Sequence, residues 1–346
     1  MAEQNAHLHK KDESFSENDI RPDDIMEKQK TVMQADIDYM LRSKEEFVHV
    51  KCPACGANNC SVAFNKYTLD YCECQECATL YINPRPTEEH LADFYKSSQN
   101  YKFWNEHIFP ATEAVRREKI FRPRAQRVKE ICEKLGFVPK KMVEVGSGFG
   151  TFCEEMRSLD FVEEIIAVEP TPALANTCRE RGLDVVEKPI EKAEFEDGSI
   201  DLVCSFEVLE HLFSPAAFLD KFSKILRPGG LAILTNPNGQ GFDVVVAPEH
   251  SGAVDVEHLN YFNPSSMKIL YERYGFELLE VTTPGKLDAE LVRKMFLSGK
   301  LERKDNPFLY QLLVDNWDNA GANFQDFIVE NKLSSHMWTV VRKKQR

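Results

Sequence analysis

Val143-Glu144-Val145-Gly146-Ser147-Gly148-Phe149-Gly150-Thr151-Phe152 reads as a buried strand that runs into a glycine-rich turn and then opens a helix. Glycines at alternate positions let the backbone bend sharply and approach a ligand closely, because a Cβ there would block the approach or forbid a positive φ. The N–H groups beyond the turn lie at the start of that helix. A second apolar strand, Ile165-Ile166-Ala167-Val168, is closed by Glu169. That acid falls roughly 20 residues beyond Gly148, where a carboxylate can accept hydrogen bonds from both ribose hydroxyls of a nucleoside.

The spacing narrows the ligand. No Gly-Lys-Ser/Thr follows the turn, which excludes a P-loop. A dinucleotide fingerprint, G-x-G-x-x-G/A, would place a small residue at position 151, where the chain has Thr151, and Gly150 comes one position early. Glu169 serves NAD and S-adenosylmethionine alike and does not choose between them. The order E-x-G-x-G-x-G from Glu144 to Gly150 resembles that of class I methyltransferases, which implies S-adenosylmethionine as cofactor.

The chain has 346 residues, enough for two unequal domains with a sizeable core. Its net charge is −13 and no basic run exceeds Arg342-Lys343-Lys344, so a nucleic-acid partner is not expected. No apolar run approaches membrane-spanning length, and Met1-Ala2-Glu3-Gln4-Asn5 lacks the layout of a signal peptide, so a cytoplasmic protein is expected. In that compartment the ten cysteines stay reduced, and clustered ones read as metal ligands.

Residues 1–22 are polar and read as a disordered tail, and residues 23–50 as an amphipathic helix. Residues 51–86 hold Cys52-Pro53-Ala54-Cys55-Gly56 and Cys72-Glu73-Cys74-Gln75-Glu76-Cys77. Two C-x-x-C pairs about 18 residues apart match a zinc ribbon. Cys52, Cys55, Cys74 and Cys77 would close a structural zinc site, with Cys60 and Cys72 surplus. A redox C-x-x-C is the alternative, but no thioredoxin-like βαβ pattern surrounds it. After an extended exit, Leu80 to Pro86, residues 87–110 read as a helix from Thr87 and then a packed linker, with a lid over a pocket as the second reading. A helix is expected from Ala111 to Leu135, interrupted at Pro123 and stopped by Gly136.

Beyond the glycine turn, strands and helices alternate. Thr171-Pro172 and Ser214-Pro215 start helices, and Pro228-Gly229-Gly230 ends the second of them. Residues 201–206 and 231–235 are the fourth and fifth strands, and 236–262 form a long irregular loop. Two late strands flank a helical insertion near 288–333, so an α/β, doubly wound sheet with its last strands paired as a hairpin follows for residues 111–346.

Residues 143–342 resemble class I S-adenosylmethionine-dependent methyltransferases, with Glu207-Val208-Leu209-Glu210-His211 and Leu226-Arg227-Pro228-Gly229-Gly230 similar to their segments around strands 4 and 5. Paired with an upstream C-P-x-C-G ribbon, the whole resembles the zinc-ribbon methyltransferases of bacterial sugar and surface-glycan pathways, including sugar C-methyltransferases. The resemblance implies a mostly parallel, seven-stranded, Rossmann-like sheet and a small-molecule substrate such as a nucleotide sugar or glycan precursor. It also implies a substrate-facing Tyr95 and an acceptor site lined by Glu257-His258-Leu259-Asn260-Tyr261-Phe262. Ile190 and Glu191 would face the adenine, Glu144 would lie near the methionine ammonium, and Phe206 would join the cofactor residues.

Methyl transfer from a sulfonium is an in-line displacement, so the protein must hold acceptor and methyl together and remove a proton from a hydroxyl or carbon acid. His211 and His258, flanked by Glu210 and Glu257, fall where a base would sit. A metal-free histidine base ranks first. Second comes a metal-dependent O-methyltransferase in which Glu207, Glu210, His211 and His258 hold Mg²⁺ or a similar ion, unless Glu207 merely caps the helix after Ser214. The reading of another class is a non-catalytic scaffold, against which the intact Gly146, Gly148, Gly150 and Glu169 argue. Cys153, Cys178 and Cys204 sit at apolar positions and read as buried.

Overall fold

The computed structural model describes residues 17–345, so the tail expected over 1–22 lies outside the described residues up to position 16. From there the chain is already helical, with α1 (Glu17–Ile20) followed by α2 (Asp23–Met40). The helix expected as far as residue 50 ends sooner, because Ser43 turns left-handed at φ 60° and only a 3-10 turn, Lys44–Glu46, follows.

β1 (Cys60–Lys66) and β2 (Leu69–Cys74) form a hairpin whose turn residues, Tyr67 and Thr68, both have positive φ. That geometry matches the right-handed twist of the flanking strands. β3 (Leu80–Ile82) pairs with β2, so the extended exit is a strand. α3 (Glu88–Ser97) begins where the Thr87 hydroxyl accepts from the His90 N–H at 3.2 Å. α4 (Gln99–Phe103), α5 (Phe109–Arg116) and α6 (Arg122–Lys134) then run on through π turns at Trp104–Ile108 and Arg117–Phe121. The linker is therefore helical. The expected break at Pro123 is instead a π turn just ahead of it; a widened turn relieves the clash and missing donor that proline brings. Gly136, at φ 61°, ends the run.

The large domain continues through β4 (Lys141–Val145), α7 (Thr151–Ser158), β5 (Glu164–Val168), α8 (Pro172–Glu180) and β6 (Asp184–Val186). β7 (Ile200–Phe206), α9 (Pro215–Ile225) and β8 (Leu226–Pro237) follow. Pro228-Gly229-Gly230 does not end α9: the helix stops at Ile225 and these residues are an irregularity inside β8, between the pairs Ile200–Leu226 and Leu202–Leu231. The loop expected to be irregular contains α10 (Phe242–Val246) and β9 (Asn260–Tyr261). α11 (Pro264–Arg273), β10 (Phe276–Thr282), α12 (Asp288–Leu297), α13 (Pro307–Tyr310), α14 (Trp317–Glu330) and β11 (His336–Lys343) complete the chain, with a π turn at Gln311–Asp315.

The main sheet has seven strands in the order β10-β11-β8-β7-β4-β5-β6, with β11 antiparallel to both neighbours and the rest parallel. Alternate residues feed opposite faces, as strand geometry requires. Val143, Val145, Val203 and Leu234 join α9 and α11 on one side, while Met142, Leu202, Cys204 and Ile233 join α6 and α7 on the other. This is a doubly wound, Rossmann-like fold. The smaller sheet, β1-β2-β3-β9, borrows its last strand from the large domain through Leu80–Tyr261 and Tyr81–Asn260. No helix among the described residues is long and apolar enough to cross a membrane.

Candidate active site

At the carboxyl end of β4 the three glycines have φ of 77°, 55° and 74°, but they serve different needs. A Cβ at Gly146 would lie 2.5 Å from Val208, and one at Gly150 2.5 Å from Leu183. At Gly148 it would meet nothing within 4 Å, so this glycine faces open space. Glu169 is 5% exposed; its Oε2 accepts from the Gly148 N–H at 2.9 Å and its Oε1 from the Thr171 N–H at 2.8 Å. Thr171, expected to cap α8, makes no side-chain cap. Each Glu169 oxygen keeps a lone pair for a ribose hydroxyl.

Glu144 is buried and accepts the Cys153 thiol at 3.0 Å; burial pushes its carboxyl up to about 8. Phe206 packs against Phe152 and Trp338, with the Arg124 guanidinium 4.4 Å from its ring centre. Ile190 is turned into the core and Glu191 is exposed beside it, on the 3-10 turn after β6.

The four expected acceptor residues come together beyond β7 and β8. The His211 and His258 rings are 4.6 Å apart. The Tyr95 hydroxyl lies 3.2 Å from His211 Nδ1, and His258 Nδ1 lies 2.8 Å from the Ala253 carbonyl. Glu257 Oε1 accepts from Asn100 Nδ2 at 3.5 Å, and burial, then Asp255, push the Glu257 carboxyl up to about 8. Burial, and secondarily His258, hold the His211 imidazole well below its ordinary range, so it is neutral at pH 7. Asp255 shapes the turn: its Oδ1 accepts from the N–H groups of Glu257 and His258 at 2.9 and 2.8 Å.

Glu207 departs from the expected ligand set. Its φ is 55°, which turns the side chain toward Thr235 Oγ1 at 2.5 Å and His336 Nδ1 at 3.4 Å. It does not cap α9, which Ser214 caps itself through the Ala217 N–H. Glu210, His211 and His258 alone form a cluster with potential ligand atoms within 4.8 Å of one another.

Residues that sequence reasoning missed hold this end in place. Arg85, 1% exposed, donates from Nε to the Ile82 carbonyl and from NH1 to Asn260 Oδ1 at 3.0 Å. Asn260 in turn donates to the Glu210 and Leu212 carbonyls at 3.2 and 2.8 Å, clamping the turn that carries His211. Asp36 of α2 accepts from the N–H groups of Gln99 and Asn100, fixing the start of α4 and with it Tyr101. The one visible signal was an arginine between Pro84 and Pro86 in an otherwise apolar exit.

Cys52, Cys55, Cys74 and Cys77 converge with all their sulfurs within 4.8 Å, and all ten cysteines are free thiols. The Cys52–Cys77 and Cys55–Cys74 sulfur pairs are 3.5 Å apart. Zn–S bonds of about 2.3 Å in a tetrahedron put sulfurs about 3.8 Å apart, so the set fits zinc. Each knuckle closes alike, by Gly56 N–H to the Cys52 carbonyl and Ala78 N–H to that of Cys74, both at positive φ. A left-handed alanine costs about 1–2 kcal/mol, small beside the roughly 10 kcal/mol of a structural zinc. From this ribbon Tyr71 reaches the Asp255 carbonyl at 2.7 Å and Lys66 the Val254 carbonyl at 2.6 Å, so it braces the segment that carries His258.

Residues 116–281 match the family model described as a methyltransferase domain. Residues 116–281 thus carry a methyltransferase domain, built on the seven-stranded sheet. A probable S-adenosylmethionine-dependent methyltransferase of Mycolicibacterium smegmatis is 26% identical over 141 residues, covering 40% of this chain and 52% of that protein. The ubiquinone biosynthesis O-methyltransferase of Caulobacter vibrioides is 33% identical over 102 residues, covering 28% and 40%. The chain thus spans about half the length of the curated relatives it matches. Among solved structures, an S-adenosylmethionine-dependent methyltransferase from Mesorhizobium loti aligns with a TM-score of 0.38 and 14% identity, over 58% of this chain and 90% of that one.

Proposed function

We propose that the chain transfers the methyl group of S-adenosylmethionine to a small polar acceptor, a nucleotide sugar or glycan-precursor sugar, held between the glycine turn and the His211–His258 pair. The carrying observation is the convergence of Tyr95, His211 and His258 beyond the carboxyl ends of the strands: the Tyr95 hydroxyl lies 3.2 Å from His211 Nδ1, and the two imidazole rings are 4.6 Å apart. Tyr95 packs edge-on against Tyr101 at 5.7 Å. Hydroxyls, imidazoles and carboxyls at one rim suit an acceptor rich in hydroxyl groups, and the likeness to sugar methyltransferases supports the same class. Gly146, Gly148, Gly150, Glu169 and Glu144 would hold the cofactor, with Phe206, Ile190 and Glu191 around its adenosine. Tyr95, His211, Glu257 and His258 would serve the acceptor.

The test is incubation with methyl-labelled S-adenosylmethionine and a panel of nucleotide hexoses, read by mass spectrometry. One added methyl on a hexose is expected. Transfer to a catechol but to no sugar would overturn the acceptor class, and failure to bind the cofactor would overturn the activity.

The ribbon is proposed to hold one zinc, which stays in place through turnover because four thiolates leave no open position. Cys55→Ser should lose the metal and, through Tyr71 and Lys66, loosen the 248–258 segment, so turnover falls while the large domain remains folded. Metal analysis finding no zinc in protein purified without chelator would remove this proposal.

A further inference from the structure

Building on the methyltransferase reading, we propose that Glu210, His211 and His258 form a second cation site, separate from the cysteine cluster, for a divalent ion of the first transition row at the acceptor end. The decisive observation is the Glu210 carboxyl. It is 0% exposed, and neither of its oxygens has a hydrogen-bond partner of ordinary geometry; burial, and after it the Glu207 carboxylate nearby, raise it well above the usual carboxylate range. A buried carboxyl with a structural task looks different in this same chain: Asp36 holds the backbone N–H groups of Gln99 and Asn100. A buried polar group without a partner is costly, and a cation is the partner that two adjacent imidazoles and a carboxylate recruit.

The histidines are prepared for it. His258 places Nδ1 at 2.8 Å from the Ala253 carbonyl, so Nδ1 carries the proton and Nε2 keeps its lone pair. His211 Nδ1 meets the Tyr95 hydroxyl at 3.2 Å, which leaves its Nε2 for a ligand. Metal-binding histidines are oriented in this way, by a carbonyl or hydroxyl on the other ring nitrogen. One potential ligand atom from each of the three residues lies within 4.8 Å of the other two, close enough to share one ion. Two nitrogen donors and one oxygen favour manganese, iron, cobalt or zinc over magnesium or calcium, which prefer oxygen ligands alone. Three protein ligands leave positions open for an acceptor hydroxyl. The hydroxyl bound there gives its proton to solvent, its oxygen takes the methyl, and the pair from the broken S–CH₃ bond stays on sulfur. The ion's part is to make that proton easier to lose.

The probe is Mn²⁺ alone, added to the full zinc-loaded chain and followed by loss of the free-ion signal in electron paramagnetic resonance; S-adenosylmethionine affinity is measured separately by calorimetry. One Mn²⁺ per chain is expected, weakened by at least roughly 100-fold in Glu210→Gln and in His258→Ala. Circular dichroism reports whether each variant folds, and because the His258 side chain is partly exposed, His258→Ala decides the matter if Glu210→Gln does not fold. No Mn²⁺ bound by the wild type, or binding that survives His258→Ala, overturns the site. Cofactor binding without Mn²⁺ binding removes only this proposal, whereas Mn²⁺ binding without cofactor binding removes the methyltransferase reading and leaves the site.

Discussion

Gly148→Arg is expected to abolish S-adenosylmethionine binding while the protein stays folded. Ligands of this kind bind in the micromolar range, about −8 kcal/mol, and the variant should show no binding up to millimolar concentration, a loss of at least about 4 kcal/mol. Two effects separate at this residue. Its φ of 55° makes any side chain strained, at about 1–2 kcal/mol. Its Cβ direction is open, with nothing within 4 Å, so an arginine goes into the ligand's space rather than into the core. Gly148→Ala carries the strain without the bulk and should bind more weakly than wild type but measurably. Gly146→Ala should behave in the opposite way, because its Cβ would strike Val208 at 2.5 Å and destabilise the turn itself. Calorimetry that finds wild-type affinity in Gly148→Arg would show that this turn is not the cofactor cradle.

What was legible in the chain was local. The strand, the glycine turn and Glu169 are read from neighbours in sequence, and the alternation of β and α segments then leaves few ways to build the sheet. The cysteine cluster was legible because ligand spacing is itself a short-range signal. Misreadings arose where a distant partner decides. Pro228-Gly229-Gly230 has the composition of a turn, yet Leu226 is already paired with Ile200, so the strand starts before it. Glu207 is one helical turn from Glu210 in sequence, but a positive φ at the end of β7 sends it to Thr235 and His336. The helical run over 99–110 was hidden because the π turn at Trp104–Ile108 shifts its apolar positions out of a 3.6 period. Asn260 and Asp36 are polar residues whose roles depend on contacts between the small sheet, α2 and the loop after β8, which no local pattern announces, and Arg85 shows only as a charge between two prolines.

His258→Ala should lower turnover by roughly 10²- to 10⁴-fold and leave cofactor affinity nearly unchanged. The drop corresponds to about 2.7–5.4 kcal/mol of transition-state stabilisation. The separation of effects follows from position: His258 meets His211, Ala253 and Tyr261, whereas the cofactor end is built by Gly148, Glu169 and Glu144. A structural loss would show itself differently, as a lower melting temperature with cofactor affinity falling in step. The two chemistries open to this histidine also diverge in their companions. If it acts as a free base, Glu210→Gln should be mild and a chelator too weak to compete with a four-thiolate site should have no effect. If it holds an ion, Glu210→Gln should be as damaging as His258→Ala and a chelator should inhibit reversibly. Near-normal turnover of His258→Ala, with or without Mn²⁺, would sink both and return the residue to holding its own loop against Ala253.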